Sequence, residues 1–302
     1  MRGFWLILWL AAGACAEDRL ERLLARVSEE AEVFRQRAGR AIGRETLRHR
    51  GRIAPPRIVW GRAPSKPEVR YKTREIVSEY GFGHFEDHPD WVREFRQVVS
   101  VDGREVLKGG GDARQALAEG MTSDDDRRRM NLLREFERYG QVGAATDFGQ
   151  SILLFRRREL ANCEFRIERE EYVGASRAVV IAWRQKAEHD AARVFSGRKL
   201  ERVPMRGLLW VREDGLPLRM TLEIETKERE TRVEHWAEVE YEMHRQGFLL
   251  PRRMTYRKTA APKGGEPVLL IENLVEYGGW QMFQADAEIK FTPLEEGETD
   301  PK

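Results

Sequence analysis

The chain has 302 residues, with 53 Lys and Arg against 51 Asp and Glu, for a formal net charge of +2. An apolar share of 41% can build a sizeable core, which excludes a wholly disordered chain, and the balanced charge excludes a dedicated nucleic-acid binder. Two cysteines, Cys15 and Cys163, exclude a disulfide framework.

The first predicted element is a leader. Arg2 is followed by an apolar run, Phe4 to Ala12, of about nine residues, and Ala14-Cys15-Ala16 supplies a small-x-small cleavage pattern. This predicts a signal peptide over residues 1–16, with Ala14 and Ala16 as processing residues and export to the periplasm or the medium. Two alternatives stay open: lipidation at Cys15, behind Ala12-Gly13-Ala14, which would anchor the protein in the envelope, and an uncleaved anchor. The run is shorter than the roughly 20 residues that span a bilayer, and no later stretch reaches that length. The mature chain is therefore expected to lack a transmembrane helix, and Cys163 reads as a small buried hydrophobe.

A helix is predicted over 17–38, where Leu20, Leu23, Leu24, Val27, Ala31, Phe34 and Ala38 recur at spacings of three and four. Residues 39–69, with Pro55, Pro56, Pro64 and Pro67, read as an extended Pro-rich connection holding one short strand at Arg57–Trp60. Strands follow at Tyr71–Tyr80 and Trp91–Val101, and Asp102-Gly103 is a tight-turn signal before Arg104–Leu107. A helical insertion is predicted over 112–139, one helix at Asp112–Glu119 and a longer one from Ser123. Asp124, Asp125 and Asp126 at its start suit the helix dipole better than a metal, and Arg127, Arg128 and Arg129 neutralise them.

From Gln150 onward the pattern reads as strand. Leu218, Met220, Leu222 and Ile224 alternate with charged or polar neighbours. The same holds for the series Val233, His235, Ala237, Val239, Tyr241, Met243 and for Phe283, Ala285, Ala287, Ile289, Phe291. Turns are expected at Asp214-Gly215, Gln246-Gly247, Gly264-Gly265 and Gly278-Gly279. The tail, residues 293–302, is acidic and expected to be disordered. The predicted fold is α+β, mainly β: one antiparallel sheet over 17–292, curled as an incomplete half-barrel, with an N-terminal helix and a helical insertion.

No phosphate loop, zinc-protease motif, serine elbow or paired Cys-x-x-Cys is present. His84 and His88 are a weak metal candidate, because Gly81, Gly83 and Pro89 oppose the helix that would align them. His235 reads as a satisfied core histidine, and Arg156, Arg157 and Arg158 as a solvated strand end. The apolar sheet face has two open readings, a cavity for a lipid or acyl chain and a fully packed core. The residues placed on or near it are Trp210, Leu218, Met220, Leu222, Val239, Tyr241, Met254 and Tyr256.

The run Gly207-Leu208-Leu209-Trp210-Val211-Arg212-Glu213-Asp214-Gly215-Leu216-Pro217-Leu218-Arg219 resembles the hairpin of exported bacterial proteins with the lipoprotein-carrier (LolA/LolB-like) half-barrel. Glu240-Tyr241, Leu249-Leu250-Pro251 and Phe283-x-Ala285 follow in the order of that type. Upstream, Arg74–Tyr80 and Val101-Asp102-Gly103-Arg104 resemble an exported bacterial subgroup of it. The resemblance implies an incomplete barrel closed by helices whose interior can shelter acyl chains, and it does not imply catalysis; no cofactor is expected. The expected function is that of an exported, non-catalytic protein holding a lipid or lipoprotein acyl chain, with a lipid or an acylated protein as partner. The alternative is an envelope sensor or protein-interaction module with a packed interior and a protein partner. No nucleic acid is expected under either.

Overall fold

A computed structural model describes residues 4–53, 69–85, 87–106, 112–122, 126–139, 146–186, 192–196, 199–228 and 230–283. The first element, α1 (Phe4–Arg37), ends in a short 3₁₀ turn at Ala38–Arg40. Three strands follow, β1 (Ala41–Arg52), β2 (Tyr71–Phe85) and β3 (His88–Val101), with a two-residue β4 (Arg104–Glu105). Then come α2 (Ala113–Thr122), α3 (Asp126–Tyr139), a 3₁₀ segment at Ser151–Phe155 and the single-turn α4 (Arg157–Leu160). The remainder is β5 (Cys163–Val173), β6 (Ser176–Gln185), β7 (Ala192–Ser196), β8 (Lys199–Val203) and β9 (Arg206–Arg212). It closes with β10 (Pro217–Glu228), β11 (Thr231–His244), β12 (Phe248–Pro262) and β13 (Val268–Met282).

Eleven described strands form one antiparallel sheet in the order β4-β3-β2-β1-β13-β12-β11-β10-β9-β6-β5, and β7 pairs with β8 apart from it. The two ends of the sheet do not meet, so it is an open half-barrel of α+β type, mainly β. Along β10, β11 and β12 the period-two alternation drives apolar side chains to one face and Arg and Glu to the other. The inner face is covered by α1, whose Leu23, Val27, Ala31 and Phe34 are buried at the predicted spacing. Ile152 and Phe155 join the same core. On the outer face α2 and α3 bury Leu117, Met121 and Leu132 against Ile42 and Phe95.

Four elements differ from the sequence expectation. The helix predicted to begin at 17 runs unbroken from Phe4, because Ala, Leu, Glu and Arg are all strong helix formers across the junction. Residues 41–52, expected in the Pro-rich connection 39–69, form β1, a central strand between β2 and β13. Its alternation is hidden because the inward positions are Gly43, Glu45, His49 and Gly51 as well as Ala41 and Leu47. Gly278-Gly279 is a bulge inside β13 rather than a turn: the register with β1 slips there, and Gly279 takes a positive φ of 61°. Residues 151–160, expected as strand, form the 3₁₀ segment and α4.

The expected strand at Arg57–Trp60, the first residues of the helix from Ser123, the alternation beyond Phe283 and the tail 293–302 lie outside the described residues. So do the side chains of Ala14, Cys15 and Ala16, whose backbone belongs to α1. Among the described residues no helix is long and apolar enough to cross a membrane.

Candidate functional site

Six of the eight side chains expected on the apolar face belong to the inner core: Met220, Leu222, Val239, Tyr241, Met254 and Tyr256. They are packed rather than facing an empty barrel. Tyr241 accepts the Ile152 N–H at 3.0 Å, and its hydroxyl reaches the Met220 sulfur at 3.6 Å. Phe148 stacks on Tyr256 with ring centroids 5.5 Å apart, and the Tyr256 hydroxyl lies 2.9 Å from His235 Nδ1. The segment 148–155 and α1 together fill the middle of the inner face.

Trp210 and Leu218 are elsewhere. They pack with Ala178 and Val180 in a separate cluster. The cause is a bulge at the start of β10: Pro217 pairs with Val211 but Arg219 with Trp210, so Leu218 is an extra residue and turns to the Trp210 side. There the Trp210 indole N–H donates to the Glu171 carboxylate, and the Arg219 guanidinium lies 5.5 Å from the ring centroid.

The open space lies beside the packed centre. A pocket of about 500 Å³ sits between the start of β3, the segment 147–163, the end of β6 and β10. That volume lies in the range of small-molecule sites. Its apolar wall is Val92, Phe148, Leu153, Leu154, Met205 and Leu222, with Trp91 exposed at the mouth. Leu222 is thus the one expected site residue that lines it. Its polar wall includes Gln150, Ser151, Arg156, Asn162, Cys163 and Gln185. Gln185 is held by its side-chain oxygen, which accepts the Met205 N–H at 3.0 Å. Cys163 is buried and free, and burial followed by the Glu159 charge pushes its thiol up to about 11, so it stays neutral.

Next to the pocket is a buried charge cluster that sequence reasoning missed. Arg96 Nε lies 2.9 Å from both Glu45 carboxylate oxygens, Nη2 donates to Glu94 at 3.0 Å and Nη1 to Asp147 at 2.7 Å. The Gln150 N–H donates to the other Glu94 oxygen at 3.1 Å. Glu45, Glu94 and Arg96 are buried, while Asp147 is open to solvent at the pocket wall. Burial, then the Asp147 charge, raises the Glu94 carboxyl to about 8. The cluster ties the 146–150 segment to β1 and β3. The signal that could have found it is the pair of charged residues at alternate positions of a strand, Glu94 and Arg96, on either side of the apolar Phe95.

His84 and His88 are both exposed, and the His88 ring stacks on Trp91 at 5.4 Å. Among the described residues no three His, Cys, Asp or Glu side chains group to hold a metal ion. His235 is partly satisfied: Nδ1 faces Tyr256, while Nε2 is buried without a hydrogen bond. Arg156, expected at a solvated strand end, is instead buried between the 3₁₀ segment and α4.

No protein-family model matches the sequence, and no curated protein matches it. Among solved structures the chain is similar to a DUF1329 family protein from Desulfovibrio piger. The identity is 10% and the TM-score 0.30, over 86% of this chain and 92% of that one. It is also similar to a LolA superfamily protein from Nitrosomonas europaea, at 11% identity and a TM-score of 0.27, over 85% of this chain and 92% of that one.

Proposed function

We propose that the protein is a non-catalytic binder of a hydrophobic ligand, acting outside the cytoplasm. The observation that carries this reading is the pocket of about 500 Å³ with a wall of Leu, Met, Phe and Val side chains beside a closed core. Apolar wall left in contact with solvent costs about 25 cal/mol per Å², so a pocket of this kind favours an apolar occupant. The site is displaced from the middle of the half-barrel, which α1 and residues 148–155 already fill. That filled centre is the specific observation behind the second reading, an interaction or sensor module whose partner is a protein. The leader supports export, with cleavage after Ala16 or lipidation at Cys15 as the two forms of it.

Native mass spectrometry of the protein, purified from its envelope fraction without detergent, tests the first reading. The expected result is a bound mass that organic extraction removes and that Leu154→Trp, which fills the pocket, abolishes. A protein that carries no ligand, and takes up none of an environment-sensitive apolar dye after extraction, would falsify it. Crosslinking of that same protein to one specific partner would then favour the second reading.

A further inference from the structure

Arg156 is the residue of the pocket that the packing does not explain. Its side chain is only 5% exposed, yet it lines the pocket. Among the described residues the acid nearest its guanidinium is Glu159, at 3.7 Å, which is beyond a hydrogen bond. Glu159 is itself occupied, accepting from Arg158 Nε at 2.9 Å and from Asn162 Nδ2 at 3.1 Å. The other acid of the wall, Asp147, is taken by Arg96. The Cys163 thiol is neutral. Arg156 and Glu159 thus form one long ion pair, which Glu159 shares with Arg158 and Asn162, and the guanidinium still offers the pocket a planar fork that matches a carboxylate. Leu153 and Leu154 precede it by three and two residues, so cation and apolar wall come from one short segment.

We propose that the pocket takes a single-chain amphiphile with a carboxylate head, the head on Arg156 and the chain along Leu153, Leu154, Met205 and Leu222. This rests on the reading of the pocket as a site for a hydrophobic ligand and names the class of ligand. The head is selected by the cation that the apolar wall adjoins: Arg156 lines the pocket with only a long, shared ion pair to Glu159, Arg93 stands at the mouth, and the wall's other acid, Asp147, is taken by Arg96. The volume of about 500 Å³ suits one chain rather than the paired chains of a bilayer phospholipid.

Titration of the delipidated full chain with tetradecanoate, tetradecanol and a lysophospholipid of the same chain length tests the proposal. Tetradecanoate is expected to bind at least tenfold more tightly than tetradecanol, and more tightly than the zwitterionic lysophospholipid. Arg156→Gln is expected to bring tetradecanoate down to the level of the alcohol and to leave the alcohol unchanged. The acid-against-alcohol comparison uses the unaltered protein, so it stands even where the variant fails to fold. Equal binding of acid and alcohol overturns the head-group assignment and leaves the apolar pocket standing. Tighter binding of the lysophospholipid overturns the carboxylate. Binding of none of the three overturns both the assignment and the underlying function.

Discussion

Glu94 and His235 give the fold opposite dependences on pH. In the folded chain Glu94 holds its proton up to about 8, whereas an unfolded glutamate releases it near 4.5. The native state therefore binds more protons across that interval, and stability falls as pH rises from about 4.5 to 8. His235 is pushed down to about 4 by burial and then by Lys258, against 6.5 when unfolded. Here the unfolded state binds more protons, so stability falls as pH drops from 6.5 toward 4. Glu94→Gln keeps the acceptor for Arg96 and removes the titration. Urea midpoints of this variant should fall less between pH 5 and pH 8 than those of the unaltered chain. An unchanged pH slope would remove Glu94 as its source. The C2 proton of His235 should show no titration above pH 5 by NMR. A midpoint near 6.5 would mean that the ring reaches water. Arg96 and Gln150 hold both oxygens of Glu94, and Tyr256 holds His235 through Nδ1.

The hairpin of β9 and β10 shows what a sequence pattern specifies and what it hides. Gly207 opens the motif because a Cβ there would overlap the Thr221 carbonyl oxygen of β10, backbone that cannot swing aside. Gly207→Ala should therefore cost about 3 kcal/mol or more, read as a lowered urea midpoint. A midpoint within error of the original would show that the strands part without strain. The alternation from Met220 through Leu222, and along β11, was legible because the inward residues are apolar apart from His235. Leu218 was not, since the bulge that turns it outward leaves no mark in a period-two count. β1 was illegible for a different reason: its inward Glu45 and His49 are buried only because Arg96 and Asn273, distant in sequence, meet them. The ligand pocket was also hidden. Of its apolar wall only Leu222 sits in a clean strand pattern, and the rest comes from segments joined by the fold.

Across the whole molecule, β1 ties the two ends of the chain together, since Ala41–Gly51 pairs with residues 271–282 on one side and with β2 on the other. Such pairing of distant segments makes for slow folding and leaves two sheet edges to protect. The β5 edge is protected by charge, with Glu164, Arg166, Glu168, Arg169, Glu170 and Glu171 along it. The inner face is protected by α1. Of the described side chains, the buried stripe starts at Leu23, with Leu20 partly buried ahead of it. Nearer the start, Arg19 contributes ion pairs to Glu170 and Glu213 that lie at the surface and add little. A chain beginning at Glu17 should therefore melt within about 1 °C of the full chain, too small a difference for the loss of a buried contact. A chain beginning at Glu29 loses Leu23 and Val27, each of which stabilises by about 1.5–3 kcal/mol when fully buried. It should melt well below both and bind an apolar dye along the uncovered face of β12. Equal melting of all three would mean that α1 is no part of the core. A large loss on starting at Glu17 would instead place residues of 4–16 within it.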